Sequence, residues 1–392
     1  MIVIAILLTL TLPLASMVVF TLLTGRSAVA LGVSRLELVG TFPDVPRPDF
    51  TIQDWLNRRF QDSASKWFSR YFGARGLFVK LGNQINYSLF DTSYMNPISK
   101  IIIGKERQLY ELAYINHYCK LIRPMPLDRA EARAKDIAEV QDRLRQYGIA
   151  FVLLISPSKA AIYPEYIPDI FCRSPKSTKR EYENFVPLLD QYKINYVDGH
   201  TITLAAKTRE QAPVFSQGGT HWNYLGAYYT VERLLTMIEA LTDHSIGRLS
   251  LQRLDIDHTP REEDNDLADL LNLIFPPYNY PVPHPTIVRE GSTQSLGKAV
   301  FVGDSFFWAV LDILNRTHTF QTMDAYYYYK HSLTSYPTKT SREIDVSQID
   351  WNNDILTSQV LVLEINEINF SNEYVTAFLS DILRHLRANP HD

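Results

Sequence analysis

A charged stretch at residues 127–147, closed by Gly148 and followed at once by seven apolar residues at 149–155, constrains the fold more than any other part of the chain. The first segment has the period and length of an amphipathic helix, and glycine suits the left-handed position that ends one. Seven consecutive apolar residues leave no face for water, so they read as a strand buried on both sides. Similar runs at 194–197, 298–302 and 359–365 are separated by helical patterns at 181–191, 222–241, 306–314 and 373–386. This alternation predicts an α/β fold: a mostly parallel sheet flanked by helices. Residues 259–267 and 276–285 carry neither period and read as long loops.

The N-terminus adds a location. Residues 2–25 contain no charged side chain, which is long enough to span a hydrocarbon core of about 30 Å. We expect residues 1–25 to be a retained transmembrane anchor or uncleaved signal. A cleaved signal peptide is the alternative, with Ala28-Val29-Ala30 as its cleavage site, but the apolar run is long and no Lys or Arg precedes it. Residues 26–50, with Pro43, Pro46 and Pro48, read as a linker. The globular part is 51–392, opening with a helical segment of about 51–126 in which Trp55, Phe60, Trp67, Phe68, Tyr71 and Phe72 recur at helical spacings.

Charge and cysteine content remove other classes. With 39 Lys and Arg against 43 Asp and Glu, the net charge is −4, so no global basic field exists for nucleic acid. Two cysteines, Cys119 and Cys172, exclude a disulfide-dense scaffold and a Cys-based zinc cluster. Their spacing leaves open whether they pair. The histidines at 200, 258, 284, 318 and 331 have no metal-ligand spacing, and no metal or cofactor is expected. The tyrosine run 326–329 reads as a packed strand or loop, with stacking on sugar rings as the alternative.

Two places carry chemistry. Gly303-Asp304-Ser305 joins a predicted strand to a predicted helix, where α/β sheets place their ligands. Ser305 there has both an exposed hydroxyl and free main-chain N–H groups for an oxyanion. The second place is Gly218-Gly219-Thr220-His221-Trp222-Asn223, with His221 at the start of a helix. The positive end of that helix should hold His221 neutral, ready to accept the serine proton. Each feature alone also fits an ordinary cap or turn; together they point to acyl transfer.

These residues carry a family resemblance. Gly303-Asp304-Ser305-Phe306 after a strand, with upstream Thr220-His221-Trp222-Asn223 and Gly226-Ala227, resembles the SGNH-hydrolase-like O-acetyltransferases of the alginate type, the AlgJ/AlgX group. Ile103-Gly104-Lys105, Ser156-Pro157-Ser158-Lys159, Asp266-Leu267-Ala268-Asp269 and Val362-Leu363-Glu364-Ile365-Asn366-Glu367 extend it from about residue 50 to the C-terminus. The resemblance implies an SGNH-hydrolase-like domain at the cell inner membrane, its globular part in the periplasm or outside the cell. It implies transfer of acetyl through a serine acyl-enzyme to hydroxyls of a surface or secreted polysaccharide. A multi-spanning membrane acyltransferase is the implied partner that supplies acetyl.

In that family the catalytic acid lies two residues before the histidine, and here that position is Gly219. Either another carboxylate orients His221, with Asp198 and Glu364 near predicted strand ends, or the site is a Ser–His dyad or inactive. Trp222, Asn223, Lys159 and Asn366 are the remaining substrate-binding or oxyanion candidates. Two rivals stand beside the transferase: a carbohydrate esterase with the same pair, and a catalytically silent polysaccharide-binding or scaffold subunit.

Overall fold

The computed structural model describes residues 38–40, 44–71, 75–93, 100–291 and 294–389. The expected anchor, residues 1–25, and much of the linker lie outside the described residues. Among those described, no helix is long and apolar enough to cross a membrane. The chain divides into two compact units, 1–96 with 268–276, and 97–267 with 277–392. Helices described in the smaller unit include Ile52–Leu56, Arg59–Tyr71 and Arg75–Phe90. Asn83 Nδ2 of the last donates to the Leu271 carbonyl at 2.7 Å.

Among the described residues every strand belongs to the larger unit: β1 (Ile101–Ile103), β2 (Leu109–Glu111), β3 (Ala150–Ser156), β4 (Tyr196–Asp198), β5 (Arg248–Asp257), β6 (Val282–Glu290), β7 (Leu296–Gly303), β8 (Phe320–Tyr327), β9 (Ser332–Tyr336), β10 (Thr340–Glu343) and β11 (Val360–Asn366). The central sheet has seven strands in the order β10-β9-β8-β7-β11-β3-β4. From β8 to β4 every pairing is parallel, and β9 and β10 add antiparallel to one edge. The expected α/β architecture with a mostly parallel sheet is therefore present. β10 is exposed at all four residues.

The apolar runs explain the layering. Every residue of β3 and β11 is buried, and successive side chains serve opposite faces. Val152, Leu154, Ala299, Phe301, Val360 and Val362 pack under helices Tyr224–Thr242 and Phe307–Arg316. Phe151, Leu153, Val300, Val302, Leu361 and Leu363 pack under Leu127–Gln146, Glu181–Gln191 and Glu373–Ala388. Parallel strands joined by crossover helices bring the C-terminal ends of β7, β11, β3 and β4 to one rim.

Three local expectations are corrected. Residues 276–285, read as a loop, overlap β6, which pairs with β5 in a long two-stranded ribbon. Pro283 and Pro285 hid it, because proline lacks an N–H for a central ladder but fits a ribbon with open edges. Within 259–267 a short helix, Asp266–Leu270, begins. The stretch 51–126 holds, besides helices, the antiparallel pair β1–β2.

Candidate active site

Ser305 stands two residues beyond the end of β7 and two before helix Phe307–Arg316. Its turn is fixed from below. Asp304 points inward, 1% exposed, and accepts from the Phe306 N–H at 3.1 Å, Asn369 Nδ2 at 2.7 Å and the Asn366 N–H at 3.3 Å. The Asp304 N–H donates to Glu364 Oε2 at 2.9 Å, and the Tyr328 N–H to the Gly303 carbonyl at 2.8 Å. A Cβ at Gly303 would lie 2.6 Å from that Glu364 oxygen, so the strand needs glycine here. With Asp304 turned into the protein, Ser305 faces outward and is half-buried. Its N–H has no hydrogen-bond partner among the described residues.

His221 arrives from the turn before helix Tyr224–Thr242, braced by the Phe215–Trp222 bridge and packed against the Phe306 ring at 4.8 Å. Its Nε2 lies 2.7 Å from Ser305 Oγ. Its Nδ1 lies 2.5 Å from Asp266 Oδ2, and Asp266 Oδ1 accepts from the Thr220 N–H at 2.8 Å. The His221 and Asp266 side chains are 17% and 25% exposed, so the three groups are largely buried but each keeps some contact with solvent. Serine, imidazole and carboxylate in this order are the geometry of nucleophile, base and orienting acid.

Electrostatics around the imidazole differ from the sequence expectation. Burial weighs against the charged ring, but the Asp266 hydrogen bond and charge, with Glu111 and Asp304 beyond, outweigh it and raise the His221 pKa. The helix start therefore does not decide its protonation. Beneath the turn, burial and the neighbouring Asp304 push Glu364 well above the usual carboxylate range. Among the described residues no cluster of His, Cys, Asp or Glu is disposed to hold a metal.

Residues 122–305 match the family described as SGNH hydrolase-like domain, acetyltransferase AlgX. A probable alginate O-acetylase, AlgJ, of Pseudomonas syringae pv. tomato is 24% identical over 253 residues, 64% of this chain. The chain is similar to the alginate-type O-acetyltransferases. The match spans 60% of the length of that AlgJ relative. Similar solved structures include the O-acetyltransferase domain of Pseudomonas putida AlgJ, with TM-score 0.45 and 21% identity over 73% of this chain and 99% of that one. Pseudomonas aeruginosa AlgX is another, with TM-score 0.44 and 11% identity over 75% and 70%.

Against this AlgJ/AlgX-like background, the acid beside the histidine is Asp266, not either carboxylate singled out from the sequence. Asp198 ends β4, three strands from β7, or about 14 Å at the usual strand spacing. It caps helix Gly199–Arg209, accepting from the Thr201 N–H at 3.2 Å and from the Tyr182 hydroxyl at 2.7 Å. Glu364 is wholly buried and held by Ser156 and the Asp304 N–H. Gly219 also has a reason. A Cβ there would meet the Glu263 carbonyl at 2.2 Å, because the segment that brings Asp266 fills the space the family's acid would need.

The other polar candidates support the scaffold instead of facing substrate. Trp222 is fully buried and its Nε1 donates to the Phe306 carbonyl at 3.0 Å. Asn223 caps its helix, accepting from the Gly226 N–H at 3.0 Å and donating to the Pro213 carbonyl at 2.7 Å. Asn366 is buried, with Nδ2 donating to the Pro157 carbonyl at 3.1 Å. Lys159 is buried on the carbonyls of the turn before His221, and burial lowers its pKa to about 7. Of the tyrosine run, Tyr326 and Tyr329 lie in the core, while Tyr328 takes a left-handed conformation as its N–H braces Gly303.

Asp266 had one signal in the sequence: it opens an acidic-to-apolar segment, Asp266-Leu267-Ala268-Asp269, after Glu262, Glu263 and Asp264. Glu111, whose charge acts on His221, had none.

Proposed function

We propose that this chain is a serine-dependent O-acetyltransferase that places acetyl on hydroxyls of a surface or secreted polysaccharide. The observation that carries the reading is the continuous chain Ser305 Oγ, His221 and Asp266, at 2.7 and 2.5 Å. Ser305 Oγ attacks the carbonyl carbon of an acetyl donor while its proton passes to His221 Nε2. The unengaged Ser305 N–H donates to the oxygen that becomes negative. Collapse of the tetrahedral intermediate expels the donor group, which takes the proton back from His221. A sugar hydroxyl then gives its proton to Nε2 and attacks the acetyl-serine; breaking the acyl bond returns the proton to Ser305. Asp266 keeps the tautomer with Nδ1–H and stabilises the imidazolium in both halves.

The location belongs to the same proposal. Cys119 and Cys172 are joined in a disulfide, which persists in oxidising compartments. This supports a globular part outside the cytoplasm, held at the inner membrane by residues 1–25. Acetyl would then come from a multi-spanning membrane acyltransferase, because cytoplasmic acetyl carriers do not reach that side.

The test uses the purified protein, p-nitrophenyl acetate as donor and polysaccharide fragments as acceptors. The transferase reading expects acetylated sugar from the wild type and none from Ser305→Ala. Acetate release with no acetylated sugar would make the protein an esterase. Polymer acetylation in cells that survives Ser305→Ala would make it a scaffold.

A further inference from the structure

We propose that Lys159 is a positioning residue for His221, acting as a built-in cation that shapes the turn from which the imidazole is delivered. This rests on the roles of Ser305 and His221 proposed above. Lys159 opens helix Lys159–Ile162, just beyond the end of β3, and is 1% exposed. Its Nζ donates to three main-chain carbonyls, Ser216 at 2.6 Å, Gln217 at 2.8 Å and Gly219 at 3.0 Å. Protonated Nζ has three N–H donors, and the three carbonyl partners satisfy them all, which together with the Asp266 charge favours the ammonium against the burial that opposes it. Among the described residues no carboxylate lies within ion-pair distance of Nζ; the Tyr110 ring sits 5.2 Å away.

A buried ammonium without a counter-ion is costly, and an apolar side chain of the same length would fill the space more cheaply. What an apolar residue cannot do is hold three carbonyl dipoles that point at one place. The remaining carbonyl of the turn, Gly218, faces the other way and accepts from the Leu267 N–H at 3.0 Å. Leu267 follows Asp266, which binds both the Thr220 N–H and His221. The turn is thus fixed on one side by Lys159 and on the other by the segment that supplies the acid. His221 is two residues past the last carbonyl that Lys159 holds. Without the cation the carbonyls repel, the turn opens, and Nε2 leaves the line to Ser305.

The experiment compares full-length wild type, Lys159→Met, Lys159→Gln and Lys159→Ala with p-nitrophenyl acetate, and follows the imidazole 15N resonances of His221. Lys159→Met should keep a cooperative melting transition, lower kcat by about 10²-fold with KM within a few-fold, and shift the His221 resonances. Methylammonium should restore turnover to Lys159→Ala, by occupying the vacated place, and tetramethylammonium should not. A folded Lys159→Met with wild-type kcat and unmoved His221 resonances would overturn the proposal. So would loss of cooperative melting in both Met and Gln variants, which would assign Lys159 to the fold alone. If wild type itself shows no Ser305-dependent turnover, the acyl-transfer reading fails, and the His221 resonances still decide the role of Lys159.

Discussion

Asp266 binds His221 from 45 residues downstream, at 2.5 Å, while position 219, two residues before the histidine, is closed to any side chain by the Glu263 carbonyl. The same segment both supplies an acid and occupies the place where the family keeps its own. An orienting carboxylate needs only to reach Nδ1 in the ring plane, so the chain position it comes from is free to change.

If Asp266 orients the imidazole, Asp266→Asn should leave Ser305 and His221 in place but favour the wrong tautomer. Turnover of p-nitrophenyl acetate should fall by about 10²- to 10⁴-fold. KM should change little. A variant within threefold of wild type would remove Asp266 from the mechanism.

Restoring the family pattern should not help. Gly219→Asp forces a Cβ to 2.2 Å from main chain that cannot move without displacing Asp266. Thermal unfolding should show a loss of about 1–3 kcal/mol, and Gly219→Asp should fail to rescue Asp266→Asn. Rescue would mean that the 261–267 segment yields more easily than its packing implies.

The pH profile follows from the charges around His221. Burial opposes protonation, but Asp266, Glu111 and Asp304 raise the pKa above the ordinary 6.5. Only the neutral ring accepts the serine proton, so kcat/KM should rise with pH through an apparent pKa above 6.5. In Asp266→Asn the largest raising influence is gone, so the limb should move to lower pH. A limb that stays where it is would assign the titration to another group.

The Cys119–Cys172 bridge spans a sequence separation of 53. Loop-closure entropy for a ring of that size is about 4 kcal/mol. Differential scanning calorimetry should therefore show a clear fall in melting temperature for Cys119→Ser/Cys172→Ser. Cys119 packs with Tyr110, Ile115, Ala160 and Ile167, none of them a member of the triad, so activity at low temperature should persist. An unchanged melting temperature would mean that the linked segments hold together unaided.

The central sheet was legible because buried parallel strands write their burial into sequence. The run at 149–155 became Ala150–Ser156, and that at 359–365 became Val360–Asn366, each shifted by one residue. Ser305 and His221 stood out because each sits where one period gives way to another. The acid did not, since nothing local to residue 266 records that a turn 45 positions earlier will meet it. Trp222 and Asn223 neighbour the reactive histidine along the chain, and Lys159 and Asn366 belong to stretches that resemble the family, which is why all four are expected at the substrate. Adjacent side chains diverge, however, and these four point into the body of the protein. Glu111 entered through the β1–β2 pair, whose three-residue strands are too short to show a period.

The last strand of the sheet, Thr340–Glu343, is only four residues long, wholly solvent-facing, and ends in Arg342 and Glu343. An unpaired strand border invites a second chain to dock and extend the ladder. Brevity and opposite charges make this border a poor template, so crowding many copies together should not by itself zip them into ribbons.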